Sequence, residues 1–162
     1  MRPDLDTYFI SMAKLVSLRS TCARRRVGCV LVDKFRHVLA TGYNGVASGL
    51  EHCIDNPCPG AKYKSGEGLE HCQAIHAEQN ALLQCKDTQA IETAYITTSP
   101  CWTCVELLLN TGCKGIVFAE EYSDWLRPYN LWTGSKAGNR RWQLHNTAIQ
   151  YDTTIQFVPA KK

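Results

Sequence analysis

Nine of the 162 residues are cysteines, and this excess restricts how the chain can fold. An odd number of cysteines cannot all pair within one chain, and the N-terminal sequence MRPDLDTYFI lacks the charged-then-apolar pattern of a secretion signal. We therefore expect a cytoplasmic protein whose thiols are reduced. Some of these thiols are expected to bind a metal rather than to form a disulfide framework.

The length, the charge and the apolar runs narrow the class of protein further. We expect a single domain over residues 1–162, since this length suits one hydrophobic core. No run of about 18 apolar residues occurs, which predicts no membrane-spanning helix and no membrane partner. The net charge of +3 is too small to indicate a polynucleotide partner, because such binding needs many phosphate contacts.

Helical and strand patterns alternate along the chain. The predicted elements are a helix over 6–18, strands over 27–32 and 36–43 joined by a hairpin turn at 33–35, a helix over 73–85, a strand over 94–98, a helix over 101–110, a strand over 115–119, a helix over 142–149 and a strand over 154–158. This alternation predicts a layered α/β domain. The segment 47–68 is rich in Gly, Pro, Ser and Cys, and it predicts a long loop that is functional or anchored.

Two short motifs carry side chains of the kind that bind metals. The sequence HAE at 76–78 lies near the start of a predicted helix, and PCWTC at 100–104 lies where a predicted strand passes into a helix. Two cysteines spaced as CxxC at a helix start can direct both sulfurs at one ion, and the helix N-terminus stabilises thiolates. A CxxC alone is also typical of redox sites or of half a structural zinc site, and an HxE alone is uninformative.

The combination of the two motifs favours a catalytic zinc site. His76, Cys101 and Cys104 supply three ligands of a tetrahedral ion and leave a fourth position for water. Glu78 can lie beside the ion without binding it, where a proton shuttle is needed. The proline before CxxC and the gap of one helix and one strand complete the H-x-E…P-C-x-x-C pattern of zinc deaminases.

At this point the sequence resembles the deoxycytidylate (dCMP) deaminases, over about residues 5–122. The resemblance depends on RSTC at 19–22, VG at 27–28, GYNG at 42–45, IHAEQNA at 75–81 and SPCWTC at 99–104. The HAE and PCxxC parts are shared by the whole cytidine deaminase superfamily, whereas GYNG together with xHAExNA is more specific to enzymes that act on deoxycytidylate. The bacterial and phage members are the most similar, and a phage origin would place the protein in the host cytoplasm.

The resemblance implies a fold, an activity and a form of regulation. The fold is a three-layer α/β/α domain with a central mixed five-stranded sheet. The activity is the zinc-dependent conversion of dCMP to dUMP and ammonia, which supplies thymidylate synthesis. Members of the family are typically hexamers that dCTP activates and dTTP inhibits, each bound with Mg²⁺.

A second group of cysteines lies in or near the long loop, which has few apolar residues to fix it. Similar bacterial and phage enzymes hold a second zinc, and the resemblance implies Cys22, Cys53 and His71 as its ligands. Cys58 and Cys72 are both available as the fourth ligand. The alternative is a set of unliganded thiols in a reducing cytoplasm.

Four residues are candidates for contacting the substrate. The resemblance places Asn44 near the sugar and Tyr122 near the phosphate. Arg26 suits phosphate oxygens and is expected to lie nearest the pocket, although a solvated basic run is the alternative. Ser99 can either bond the base or cap the next helix. For the effector triphosphate, the candidate contacts are Arg24, Arg25, Tyr43 and Gly45.

Two other interpretations stay open. One is another deaminase of the superfamily, acting on cytidine, dCTP, guanine or a tRNA adenosine; the free cytidine deaminases usually have Cys in place of the ligand His. The other is a zinc-stabilised nucleotide-binding module without catalysis. Glu78 argues against the module, because a structural zinc has no use for a carboxylate beside an open position.

Overall fold

A computed structural model of the protein describes residues 2–64, 66–135, 138–147 and 149. Within these residues the chain forms four α-helices and five strands. In chain order they are α1 (Leu5–Ser17), β1 (Gly28–Asp33), β2 (Val38–Tyr43), α2 (Ala77–Gln84), β3 (Ile91–Thr98), α3 (Trp102–Leu109), β4 (Gly115–Glu120), α4 (Leu126–Thr133) and β5 (Arg141–Leu144). The described helices are all too short or too polar to span a bilayer.

The strands of the described residues form one mixed sheet in the order β2-β1-β3-β4-β5. β1 is antiparallel to both β2 and β3, whereas β3, β4 and β5 are parallel to one another. The hairpin between β1 and β2 turns at Asp33, whose carboxylate accepts the backbone N–H groups of Phe35 at 2.8 Å and His37 at 2.9 Å. The predicted mixed five-stranded sheet is confirmed.

Helices cover both faces of the sheet, which confirms the three-layer arrangement. Cys29 and Leu31 of β1 pack into a core shared with α2, α3 and α4. Val30 and Val32 point to the opposite face and pack against Phe9 and other apolar residues of α1. Burial on both faces explains why β1 reads as a continuous apolar run. Each fully buried side chain of this kind contributes about 1.5–3 kcal/mol.

A glycine lets α2 pack directly on the sheet. A Cβ on Gly42 of β2 would lie 2.3 Å from the carbonyl oxygen of Ala77 and 2.3 Å from the backbone nitrogen of Ala81. No side chain fits between these two backbones, so α2 lies at a fixed distance from β2. This contact matters for the site, because the first turn of α2 follows His76 and contains Glu78.

Two of the predicted helices need correction, and one observed helix was missed. The helix predicted over 73–85 begins only at Ala77, because Ile75 exchanges two backbone hydrogen bonds with Gly45 and is held extended. The helix predicted over 142–149 is wrong: Arg141–Leu144 forms β5, since the open edge of β4 offers strand partners that the local sequence does not reveal. The helix α4 was not predicted. The strand predicted over 154–158 lies outside the described residues.

Candidate active site

Three of the predicted metal ligands meet where two helices begin. His76 directly precedes α2 and Cys101 directly precedes α3, so each is the N-cap residue of its helix. The Nδ1 atom of His76 lies 3.4 Å from the Sγ atom of Cys101 and 3.4 Å from that of Cys104. The potential ligand atoms of the three residues all lie within 4.8 Å of one another. No other group of three or more His, Cys, Asp or Glu in the described part of the chain meets that criterion.

These three side chains fit a zinc ion. One imidazole nitrogen and two sulfurs form a donor set of catalytic zinc sites, which keep a fourth position open. Zinc–nitrogen bonds of about 2.0–2.1 Å and zinc–sulfur bonds of about 2.3 Å at tetrahedral angles separate nitrogen from sulfur by about 3.6 Å. The observed separations of 3.4 Å are close to that value.

Local electrostatics favours a thiolate at this position. Hydrogen bonds from the Cys104 thiol and from His76 lower the pKa of Cys101 to about 4, although partial burial opposes the shift. The same contact with Cys101 raises the pKa of His76. The N-terminus of α3 adds its exposed N–H groups and its positive end, which further stabilise negative sulfur. The backbone N–H of His76 is held by the side-chain oxygen of Gln79 at 2.8 Å.

Glu78 lies beside these ligands with almost no exposure to solvent. Glu78 is only 4% exposed, and burial raises the pKa of its carboxyl to about 6. A carboxyl with a pKa near neutrality can both accept and donate a proton at physiological pH. Glu78 therefore has the burial and the acidity of a group that transfers protons.

A cavity of about 110 Å³ adjoins His76, Cys101 and Glu78. Asn44, Ser99 and Tyr122 all line it, so three of the four predicted substrate contacts lie in its wall. The parallel pairing of β3 with β4 brings two of them together, because the C-terminal ends of parallel strands meet at one edge of the sheet. There the hydroxyl oxygen of Ser99 accepts the backbone N–H of Tyr122 at 2.7 Å.

The family of the protein follows from a comparison with known domains. Residues 3–120 match the model described as the cytidine and deoxycytidylate deaminase zinc-binding region. The chain belongs to this family. The resemblance recognised in the sequence is thereby confirmed, and the matched region includes His76, Glu78, Cys101 and Cys104.

Individual relatives of the family agree with this assignment. The chain is 40% identical over 127 residues to the deoxycytidylate deaminase of Mycobacterium phage D29, which covers 74% of this chain and 98% of the phage protein. It is 40% identical over 124 residues to the deoxycytidylate deaminase of Saccharomyces cerevisiae, but the match spans only 39% of the yeast protein's length. The dCMP deaminase of cyanophage S-TIM5, solved with dCMP and dUMP, superposes with a TM-score of 0.66 at 25% identity, covering 89% of this chain and 99% of that one.

Asn44 forms hydrogen bonds that hold the backbone of residues 25–27 beside this site. Its side-chain oxygen accepts the backbone N–H of Val27 at 2.8 Å and the hydroxyl of Ser20 at 2.6 Å. Its side-chain nitrogen donates to the carbonyl oxygen of Arg25 at 2.8 Å. The predicted contact of Asn44 with the sugar stays a prediction, and the structure adds that Asn44 fixes the chain on either side of Arg26.

The prediction that Arg26 lies nearest the pocket is wrong. Arg26 is exposed, whereas Arg24 and Arg25 line the cavity. The physical reason is the pair of bonds to Asn44: residues 25 and 27 both turn their backbones toward that side chain, so the residue between them turns outward. Because the three arginines are consecutive in the sequence, no spacing pattern could have revealed which of them faces the cavity.

Arg25 and Tyr122 form a polar part of the cavity wall. The guanidinium of Arg25 lies 5.8 Å from the ring centre of Tyr122 and 3.3 Å from the carboxylate of Glu120, and its side chain is 30% exposed. Burial raises the pKa of Tyr122, so its hydroxyl stays a hydrogen-bond donor at neutral pH. The alternative role of Ser99 as a helix cap is not observed, because Cys101 occupies the N-cap position of α3.

The other predicted effector residues, Tyr43 and Gly45, do not line this cavity. The carbonyl of Tyr43 accepts the side-chain N–H of Asn80 at 2.8 Å. Gly45 pairs with Ile75, and a Cβ there would lie 2.4 Å from the hydroxyl of Thr21. Their contact with a triphosphate stays a prediction.

Among the described residues, the second group of cysteines does not bring three ligand atoms within 4.8 Å of one another, unlike the first group. Cys22, Cys53 and Cys58 are buried and Cys72 is half-buried. The backbone N–H of Cys58 points to the sulfur of Cys53 at 3.5 Å. His71, by contrast, has a side chain that is 48% exposed, and it pairs with the neighbouring carboxylate of Glu70 at 3.5 Å.

Backbone contacts place Cys53 near Cys22 and Cys58 near Cys72. The N–H of Ile54 donates to the carbonyl of Thr21 at 3.1 Å, which places the chain at Cys53 beside the chain at Cys22. Gly60, two residues after Cys58, approaches Cys72 so closely that a Cβ on it would lie 2.7 Å from the Cys72 backbone. Gly66, Leu69 and Cys72 also line the cavity, and no pattern in the sequence indicates that they would.

Proposed function

We propose that this protein is a zinc-dependent dCMP deaminase that hydrolyses dCMP to dUMP and ammonia in the cytoplasm. The observation that carries the proposal is the buried carboxyl of Glu78 beside a His-Cys-Cys donor set, in one cavity with Arg25 and Asn44. Membership of the family supports deamination as the reaction, and the names of the phage relatives support dCMP as the substrate.

Each residue of the site has its own role in the proposed deamination. His76, Cys101 and Cys104 would hold the zinc, which when bound lowers the pKa of a coordinated water to about 7. Glu78 accepts a proton from the attacking water and passes it to the ring nitrogen N3 of cytosine. It then accepts the second proton of that water and transfers it to the departing amino group, which leaves as ammonia. Asn44 orients the sugar, and Ser99 lies in the wall near the base.

The test is the release of ammonia by purified protein. We expect turnover of dCMP in preference to deoxycytidine, CMP and dCTP, with sigmoidal kinetics that dCTP and Mg²⁺ make hyperbolic and that dTTP and Mg²⁺ suppress. We also expect a homo-oligomer, a hexamer, by light scattering. Preferential turnover of dCTP or cytidine would assign the protein to another branch of the superfamily. Zinc-replete protein that releases no ammonia from any of these would be a binding module.

Arg25 is proposed to read the 5′-phosphate in place of Arg26. A guanidinium suits phosphate by its forked geometry, and Arg25 is the arginine whose guanidinium lies over the ring of Tyr122, another residue of the cavity wall. We expect Arg25→Gln to raise the KM for dCMP by about 10- to 100-fold, since a hydrogen bond to a charged group contributes about 1.5–3 kcal/mol. The KM for deoxycytidine, which has no phosphate, should change little.

Arg26→Gln is the comparison for this experiment, because it removes the same charge from the adjacent, exposed position. Steady-state KM values for dCMP and deoxycytidine are measured for both variants. An equal rise for the two substrates in Arg25→Gln, or a larger phosphate-dependent effect in Arg26→Gln, would contradict the proposal.

A second zinc is proposed with ligands Cys22, Cys53, Cys58 and Cys72 rather than His71; the four sulfurs would have to approach one another when the ion binds. Elemental analysis should give about two zinc ions per chain, since four thiolates are a common structural donor set. We expect Cys53→Ser to lose one of them and to lower the melting temperature, because metal binding is coupled to folding.

Two variants separate the possible ligand sets. Cys85→Ser changes a half-buried thiol whose sulfur contacts the carbonyl of Asp87, outside both clusters, and should keep both zinc ions. His71→Ala should also keep both if the ligands are the four thiolates. One zinc per wild-type chain would rule out the second site, and loss of a zinc in His71→Ala would restore His71 as a ligand.

A further inference from the structure

The side chain of Arg24 is attached to a distant loop rather than left available for a ligand. Its guanidinium donates to the backbone carbonyl oxygens of Gly60 at 3.1 Å and Glu67 at 2.9 Å, and also to that of Lys64. One arginine therefore connects three points of a loop that lies 36 to 43 residues further along the chain. Arg24 itself precedes Arg25, whose carbonyl is bonded to Asn44.

The loop that Arg24 holds forms one wall of the cavity. Gly66 and Leu69 of this loop line the cavity together with Arg24. Gly66 has a φ of +90°, and a Cβ on it would lie 2.8 Å from the hydroxyl of Ser123 and 3.4 Å from that of Tyr122. Gly66 of the loop thus lies against Tyr122 and Ser123, in the segment that follows β4.

The backbone–backbone hydrogen bonds of the described loop residues, 60–64 and 66–69, all have partners within residues 58–72. They are local turns, in which the N–H of Tyr63 donates to Gly60, that of Glu67 to Lys64 and that of His71 to Gly68. Short turns of this kind shape a loop but leave its position to longer-range contacts. The forked guanidinium supplies such contacts, because its several N–H groups can bond separate carbonyls at once.

We propose that Arg24 is a positioning residue that holds the 60–69 loop against the cavity, and that it thereby sets the affinity for nucleotide rather than the rate of the chemical step. The proposal rests on the cavity being the nucleotide site proposed above. It also assigns Arg24 a role different from the effector contact that the basic run predicts. An interaction that stabilises the bound substrate and the transition state equally appears in KM and not in kcat, and the position of this wall is expected to act in that way.

Trypsin provides a direct readout of the loop, because Lys62 and Lys64 are exposed and lie between Gly60 and Glu67, the outermost residues that Arg24 contacts. Proteases cleave loops that detach from the body of a domain. We expect Arg24→Gln to increase the rate of cleavage after Lys62 and Lys64 by about tenfold or more, followed by mass spectrometry of the fragments. The KM for dCMP should rise by a similar factor while kcat stays within about twofold.

Two further variants make the outcome decisive. Arg24→Lys keeps the charge but lacks the fork, so it should fall between the wild type and Arg24→Gln in both readouts. Arg19→Gln removes an exposed arginine in the preceding segment and should leave cleavage and KM unchanged. Zinc content and melting temperature are measured for each variant, to show that the domain remains folded.

Cleavage at Lys62 and Lys64 that does not change in Arg24→Gln would overturn the proposal, and so would a fall in kcat with an unchanged KM. If the wild-type protein does not turn over dCMP, the proposed function fails on its own account. The trypsin comparison needs no substrate, and it would still decide whether Arg24 holds the loop.

Discussion

Replacing Glu78 by Gln is expected to lower kcat for dCMP deamination by about 10²–10⁴-fold, which is the usual contribution of a positioned acid–base group. The amide has nearly the size of the carboxyl, so it can occupy the same buried position between α2 and the metal ligands. It cannot accept a proton from water or return one to the base. The zinc content should equal that of the wild type, because Glu78 is not among the three ligands.

The control for this variant is Glu106→Gln, which changes an exposed carboxylate on α3, the helix that contains Cys104. It should keep the wild-type rate. Rates are measured as ammonia release at saturating dCMP, and zinc by elemental analysis. A Glu78→Gln enzyme with full zinc and a near wild-type rate would show that another group transfers the protons.

Replacing Cys104 by Ser is expected to remove the catalytic zinc and to reduce deamination to the background rate. Cys104 is fully buried in the first turn of α3, where its sulfur lies 3.4 Å from the Nδ1 atom of His76. A neutral hydroxyl is a far weaker zinc ligand than a thiolate, and two remaining ligands do not define a tetrahedral site. The variant should contain one zinc ion fewer per chain than the wild type.

Thermal unfolding provides a second measurement for Cys104→Ser. Because an ion that binds only the folded state stabilises it, added zinc should raise the melting temperature of metal-depleted wild-type protein more than that of the variant. Cys85→Ser, outside both cysteine groups, should respond to zinc as the wild type does. Full zinc content and activity in Cys104→Ser would exclude this sulfur as a ligand.

The sequence alone determined the chemistry of the centre and most of the sheet. His76 and Glu78 lie within one helix start, and Cys101 and Cys104 lie within another, so their relative positions depend on short stretches of chain. The strands β1, β3 and β4 were predictable because they are largely buried runs of strand length, and β2 because it follows β1 through a short hairpin turn. Local patterns of this kind survive in almost any tertiary context.

Only the tertiary structure decided which arginine faces the cavity and what each does. Arg24, Arg25 and Arg26 are consecutive residues of one type, so the sequence does not distinguish them. Hydrogen bonds to Asn44, some twenty residues away, turn Arg25 inward and Arg26 outward. The carbonyls that occupy Arg24 come from a loop without helical or strand period.

The same distinction separates β5 and His71 from the features that were predictable. Residues 141–144 form a strand because the edge of β4 is open beside them, although their local pattern also suits a helix. His71 turns toward Glu70 and stacks on the ring of Tyr63, with ring centres 5.4 Å apart. In each case the deciding partner is distant in sequence or offers a contact that residue type does not specify, so no local pattern could have revealed it.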